Sequence, residues 1–348
     1  MKALFSDKKG VALLMVLWVL MLLTVIVGEF CFTMRTRVNI TRNFKESTQA
    51  YYIAVAGLNK AIEQIIRQEI MPRKTVTFDE ESEEEPDWRI NTDIAPMSFG
   101  NGEYEVRIEN VSGKININMA DKVLLQTMLS GLDIDASEKD VITDSILDWR
   151  DADRNHRLNG AEGNYYQSLS KPYECKDDNF DSIEELLLVR GVTPEIYYQG
   201  FENFVTVFPN NKKQVRVKKV RAKRFKKKGF DYNKLNVNAI SSQMWAALPG
   251  MTEELISEIF AYRAEKDFNS IREVQSIIGP DVFRGIARYL TIETTTYYKI
   301  SSTGKIRDSR ISEGVTAVIH FSNQLNEKYQ IIEWVDEISL QKRFKGIL

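Results

Sequence analysis

Between Arg150 and Phe180 the chain reads DADRNHRLNGAEGNYY and then continues to CKDDN. Counting from Asp151 as position one, Asp153 falls at three, Asn155 at five, Arg157 at seven, Asn159 at nine and Glu162 at twelve. Oxygen-bearing residues at alternate positions, closed by a glutamate at twelve, suit a hard cation. Such an ion takes six to eight oxygens, and a loop wraps it only if alternate residues point inward. Position seven contributes a backbone carbonyl in this pattern, so Arg157 is acceptable there. The spacing predicts calcium. Position six, where a sharp turn wants glycine, is His156, and glycine comes only at Gly160. Ligands from outside the loop are therefore expected, and Asp177 and Asp178 are the candidates. The plain alternative is an acidic surface turn.

Other chemistries have less to work with. His156 and His320 are the only histidines, which excludes a multi-histidine centre, and neither lies in a nucleophile motif. The only cysteines, Cys31 and Cys175, cannot staple the soluble part, because Cys31 sits at the end of an apolar run. Paired carboxylates could do acid–base work, but the cation spacing accounts for them better. A hydrolase is the weakest reading.

The loop must be positioned by helices, and these occur in two related copies. One opens with KININ at 114–118 and the other with KLNVN at 234–238. Each continues as an apolar helix, a glycine turn, a second helix ending in arginine (Arg150, Arg263), and a third helix opening at Phe180 or Phe268. Four residues separate Arg263 from Phe268, but twenty-nine separate Arg150 from Phe180. The acidic loop is thus an insertion in the first of two copies of one helical unit. The Leu248-Pro249-Gly250 turn also resembles a helix-hairpin-helix, a device that binds DNA phosphates through backbone N–H groups. Glu253, Glu254 and Glu258 would meet the phosphate there. The basic run 212–228 holds eleven Lys/Arg in seventeen residues but one aromatic, Phe225, and offers no stacking platform. Nucleic acid is the second reading. An acidic run, 79–87, has seven carboxylates in nine residues.

Alternating stretches flank the helical part: 103–109 before it, and 297–301, 314–321 and 329–335 after it. They predict an antiparallel sheet interrupted by the helices, with one strand ahead of the insertion. From Val11 to Gly28 there are eighteen uncharged residues, nearly enough to cross a bilayer. Phe30, Cys31 and Phe32 extend the run past Glu29. Apolar residues then recur at Tyr51, Ala54, Leu58, Ala61, Ile62, Ile65 and Ile66, one face of a helix that Pro72 ends. The fold class is α+β: a long N-terminal transmembrane and stem helix packed on an antiparallel sheet, with a large helical insertion.

A short basic leader ending in glycine, followed by an apolar helix that becomes an amphipathic stem, resembles the N-terminus of type IV pilins and pseudopilins. In that family a prepilin peptidase cuts after the glycine, here Gly10, leaving Val11 first. Most members carry glutamate at the fifth mature position, where this chain has Met15. That departure, together with ILDWRDAD, GAE and PYECKDDNFDSIEEL, resembles the K-type minor pseudopilins of type II secretion. Met15 and Glu29 are then the membrane and assembly positions. The resemblance implies a pilin-like sheet interrupted by a calcium-binding helical domain, with Asp151, Asp153, Glu162, Asp177 and Asp178 as ligands. It further implies a non-enzymatic subunit at the filament tip, held in the inner membrane by one span with its C-terminal part in the periplasm. Its partners would be the I, J and H types of minor pseudopilin, the secretion platform and the prepilin peptidase. The alternative is a pilus or DNA-uptake component. The expected parts are a leader (1–10), a membrane segment (11–34), a stem (35–71), an acidic linker with the first strand (72–111), an inserted helical domain (112–292) and the remaining strands (293–348). Within the insertion, repeat one covers 112–205, a basic linker 209–229 and repeat two 233–292.

Overall fold

The computed structural model describes residues 8–70, 88–92, 94–132, 134–210, 230–322 and 325–337. The acidic run 79–87, the basic run 212–228, Pro72 and residues 1–7 of the expected leader lie outside them. Helix α1 runs from Lys8 to Ile65, 58 residues, and closes in a π turn at Ile66–Ile70. At about 1.5 Å per residue it is roughly 87 Å long. Its two halves differ as the sequence pattern requires. From Ala12 to Phe44 nearly every side chain is exposed, and this half is apolar enough to cross a membrane. From Ala50 onward one face is buried: Ala50, Ile53, Ala54, Leu58, Ala61, Ile62 and Ile65. Tyr51 and Ile66, at the margins of the expected stripe, are half-buried.

That stripe lies on a five-stranded antiparallel sheet of order β1-β2-β7-β8-β9. The strands are β1 (Met97–Phe99), β2 (Gly102–Asn110), β7 (Tyr297–Ile306), β8 (Ser312–Phe321) and β9 (Tyr329–Glu337). Alternation sends Tyr104, Val106, Ile108, Tyr298, Ile300, Val315, Ala317, Ile319 and Phe321 toward α1, where they form one core. Approach is close. A Cβ on Gly304 would stand 2.1 Å from the Ala50 carbonyl oxygen and 2.5 Å from the Ala54 nitrogen. At its exit toward solvent the stem is tied to the sheet by Ser47 donating to Glu313 (2.6 Å) and Ser309 donating to Glu46 (2.8 Å). The alternating pattern predicts one strand ahead of the insertion, and the described residues hold two. Met97–Phe99 is too short to show alternation, and it becomes a strand because Gly100 (φ 60°) turns the chain back onto β2.

Between β2 and β7 the chain makes the two helical units, which share one core running from Ile115 to Leu290. The first contains β3 (Ile115–Asn116), α2 (Lys122–Leu129), α3 (Ala136–Arg150), α4 (Gly163–Gln167), α5 (Pro194–Ile196), α6 (Glu202–Phe204) and β4 (Val205–Thr206). The second contains β5 (Leu235–Asn236), α7 (Ser242–Ala246), α8 (Glu253–Glu265), α9 (Ile271–Ile278), α10 (Pro280–Ile286) and β6 (Leu290–Thr291). Each unit is closed by a parallel two-residue ribbon, β3 with β4 and β5 with β6.

Repeated sequence gives repeated bonds. Asn118 accepts from the Phe180 N–H (2.7 Å) and donates to its carbonyl (3.0 Å); Asn238 does the same with Phe268 (2.8 and 3.0 Å). Arg150 donates to the carbonyls of Ile117 and Ala120, and Arg263 to those of Ile240 and Asn238. One expectation is corrected. The segment opening at Phe180 forms a 3-10 turn, Ile183–Leu188, where its counterpart forms α9. The insertion meets the sheet through a stack of Phe208, Tyr297 and His320.

Candidate cation site

Helix α3 begins with a capping box, Asp135 with Glu138, and delivers two aspartates one turn apart, Asp144 and Asp148, into the interior. Neither belongs to the predicted ligand set. They receive the loop instead. Asp144 accepts from Lys122 Nζ (2.6 Å) and from the Asn159 N–H (3.3 Å). Asp148 accepts from the Arg157 backbone N–H (3.1 Å) and from its guanidinium. A Cβ on Gly160 would sit 1.8 Å from Asp148 Oδ2, so the loop's glycine is where backbone must lie directly on that carboxylate. The signal in the sequence was an i, i+4 pair of acids inside the apolar stretch VITDSILDWR, which an amphipathic surface helix does not need.

The loop then folds its predicted ligands together. Oxygens of Asp151, Asp153 and Glu162 lie within 4.8 Å of one another. Oxygens of Glu162 and Asp177 and the sulfur of Cys175 form a second such group. Glu162 therefore stands at the centre of both. It is 5% exposed, and neither carboxylate oxygen has a hydrogen-bond partner. Asp151 Oδ1 and Asp177 Oδ1 are likewise buried and unpartnered. Asp177 adopts φ 49°, in the left-handed region.

Not every predicted residue joins. Asn155 is exposed, and its backbone N–H bonds the Asp153 side chain (2.8 Å). Asp178 is exposed and accepts from the Asn179 N–H (2.7 Å). The Arg157 carbonyl accepts from Gly160 N–H (3.1 Å), while its guanidinium bridges Asp148 and Asp151, the latter at 2.7 Å. Arg157 thus contributes a counter-charge at the rim of the cluster.

Electrostatics follow from this crowding. Burial first, and then the charges of Asp148, Asp177, Asp151 and Asp153, push the Glu162 carboxyl up to about 7. Burial raises Asp148 too, against the pull of Arg157. The Cys175 thiol is pushed up to about 12, chiefly by burial, against the Asp177 backbone N–H. The same unit holds an aromatic cluster: Trp149 meets Tyr166 edge-on at 5.1 Å, and Phe180 stacks on Trp149 at 6.4 Å. Burial raises the Tyr166 hydroxyl as well.

Carboxylate oxygens that are buried, unpartnered and crowded by like charge are costly unless a cation joins them. Oxygens on opposite sides of a calcium ion stand about 5 Å apart, twice its bond length to oxygen. The observed grouping fits that ion.

The remaining candidates are quieter. Ser241 caps α7 and Thr252 caps α8, and Gly250 turns between them at φ 79°. The first turn of α8 carries Glu253 and Glu254, so this hairpin presents carboxylates where a phosphate would arrive. Gly10, Val11, Met15 and Glu29 all lie along α1, with Met15 64% exposed and Glu29 exposed.

Residues 108–210, the stretch that contains the loop, match the family model described as type II secretion system (T2SS), protein K. A putative type II secretion system protein K of Escherichia coli K12 is 22% identical over 86% of this chain and 92% of its own length. Type II secretion system protein K of Pseudomonas aeruginosa is 24% identical over 72% of each chain. Over residues 108–210 the chain is similar to the type II secretion system protein K family. Among solved structures, the GspK-GspI-GspJ complex from the enterotoxigenic Escherichia coli type 2 secretion system includes a chain of the same fold. The TM-score is 0.53 at 15% identity, covering 85% of this chain and 98% of that one. The exposed half of α1 is long and apolar enough to cross a membrane.

Proposed function

We propose that this chain is a K-type minor pseudopilin that sits at the tip of the type II secretion pseudopilus, where it nucleates or caps assembly for protein export and performs no catalysis. The observation that carries the reading is the division of α1. Its C-terminal half is consumed by the sheet, and its N-terminal half presents an uncovered apolar rod. A rod of that kind is stable in a bilayer and against other apolar stems. The fifth position after Gly10 is Met15, so the stem brings no carboxylate to pair with the amino terminus of a subunit above it. A tip subunit has none above. The helical insertion adds bulk at the far end of the sheet, consistent with a cap.

On this reading the chain is cut after Gly10 by a prepilin peptidase. It is then held in the inner membrane by one span, with its sheet and insertion in the periplasm. The partners are minor pseudopilins of the I and J types, with the H type next in the filament and the inner-membrane platform at its base. A solved chain of the same fold comes from a GspK-GspI-GspJ complex, which supports that choice. The loop takes calcium: Asp151, Asp153, Glu162 and Asp177 would hold the ion, which would supply the positive charge their unpartnered oxygens lack. At millimolar levels outside the cytoplasm even a weak site fills.

The test is reconstitution. The full chain, with calcium, is mixed in detergent with the I- and J-type pseudopilins of the same organism and analysed by light scattering. A stoichiometric complex is expected. A chain that stays alone while the I and J types pair with each other would overturn the tip assignment.

A further inference from the structure

Beyond its apolar run the exposed stem turns basic. Residues 35–46 read RTRVNITRNFKE, with Arg35, Arg37, Arg42 and Lys45 against one acid, Glu46. All four cations are exposed on α1. The fold adds two more. The turn between β7 and β8, residues 307–311, lies against the same stretch: Ser309 donates to Glu46 (2.8 Å), and Arg310 shares a niche with Asn43 and Phe44. Arg307 and Arg310 are exposed there, with Asp308 as the only acid of the turn. Of these six cations only Arg42 is ion-paired among the described residues, to Glu46 at 2.6 Å. We infer that the six form a basic collar that binds the headgroups of anionic phospholipids at the bilayer surface next to the sheet.

The inference rests on the reading that α1 crosses a bilayer. Three observations then favour lipid. The collar is continuous with the apolar run that Phe32 ends. At about 1.5 Å per residue, Arg35 and Arg37 stand roughly 5 and 8 Å beyond Phe32, the depth of the headgroup layer. Helical side chains lean toward the helix N-terminus, which here is the bilayer side, so Arg42 and Lys45 slant back toward the surface. Exposed apolar residues lie between the cations: Val38 is 63% exposed, Ile40 62% and Phe44 75%. That mixture suits the boundary between headgroups and acyl chains, where long basic side chains lay their stems on apolar surface and keep their charge in water. Four to eight Lys/Arg beside a span attract anionic lipid, each contributing roughly five-fold when close to the surface.

The test places the full chain in phosphatidylcholine vesicles carrying a trace of spin-labelled phosphatidylglycerol or spin-labelled phosphatidylcholine. Electron spin resonance measures how much labelled lipid is held motionally restricted against the protein. Both lipids should show a restricted fraction, with phosphatidylglycerol preferred at least ~3-fold. Molar salt should erase the preference, because screening then acts within about 3 Å. Arg35→Gln with Arg37→Gln should remove most of the preference, and Arg307→Gln with Arg310→Gln a smaller share. These side chains are exposed, so both double variants should keep the wild-type melting temperature. No restricted lipid of either kind would overturn the span, and the collar with it. Restricted lipid without a preference is the result expected if the collar instead meets carboxylates of another subunit; it would overturn the collar and leave the span standing. Full preference retained by either double variant would also overturn the six-residue collar.

Discussion

At the residue scale the telling group is Glu162. Its carboxyl is held at about 7 in the folded chain against an ordinary 4.5. A folded-state value above the unfolded one means the native state binds the proton more tightly. The stabilisation is therefore full below about 4.5 and is lost as pH rises through about 7. The loss is on the order of 3 kcal/mol at most. Calcium and the proton compete for the same oxygens. In chelator, Glu162→Gln should melt higher than the wild type at about pH 8, and the two should converge near pH 5. Added calcium should raise the wild-type melting temperature and leave Glu162→Gln unmoved. Calorimetry should show calcium binding by the wild type and its weakening in Asp153→Ala. A wild type that takes up no calcium in the millimolar range would end the calcium reading.

At the element scale the seating of α1 on the sheet is set by small residues. Gly304 meets backbone atoms of Ala50 and Ala54, which cannot step aside, so Gly304→Ala must lift the helix off β7. About 3 kcal/mol of stability should be lost, read by urea denaturation. Gly57 meets side-chain rather than backbone atoms, Ser302 Oγ and the Tyr104 ring, and Gly57→Ala should cost less than Gly304→Ala. Gly285 in α10 has nothing within 4 Å of a Cβ, so Gly285→Ala should instead add up to about 1 kcal/mol. Equal losses at Gly304 and Gly285 would contradict this packing. The twin arginines work on the same scale. Arg150 and Arg263 each satisfy two backbone carbonyls in the turn that follows β3 or β5. That is why the arginine recurs in both copies although the segments after it diverge.

At the scale of the molecule, one helix links two environments. Among the described residues nothing covers its apolar half, and its other half is the spine of the sheet. The helical insertion leaves the sheet after β2 and returns at β7, so antiparallel strands 187 residues apart in sequence pair along their whole length, from Gly102↔Ile306 to Asn110↔Tyr298 at its near end. The insertion is thus an excursion between two paired strands of the sheet. Processing is checked on the mature protein from membranes. N-terminal sequencing should begin at Val11, and an intact Met1 would refute cleavage after Gly10.

The features written in local spacing were legible from the sequence alone. Hydropathy over 11–28 and the stripe from Tyr51 to Ile66 describe α1, because a helix repeats its faces every 3.6 residues. Alternation gave β2, β7, β8 and β9, the paired KININ and KLNVN segments gave the two units, and oxygen spacing gave the acidic loop. The tertiary structure decided what depends on residues far apart in the chain. Asp144 and Asp148 became the loop's anchors only because α3 turns them inward. Met97–Phe99 became a strand only because β2 was there to pair with it. Cys175 reached Glu162, and both Glu162 oxygens were left buried without a partner, only in the folded loop. Spacing chooses which residues share a face, but burial and the distance between faces are set by long-range contacts, and those determine which carboxylates need an ion.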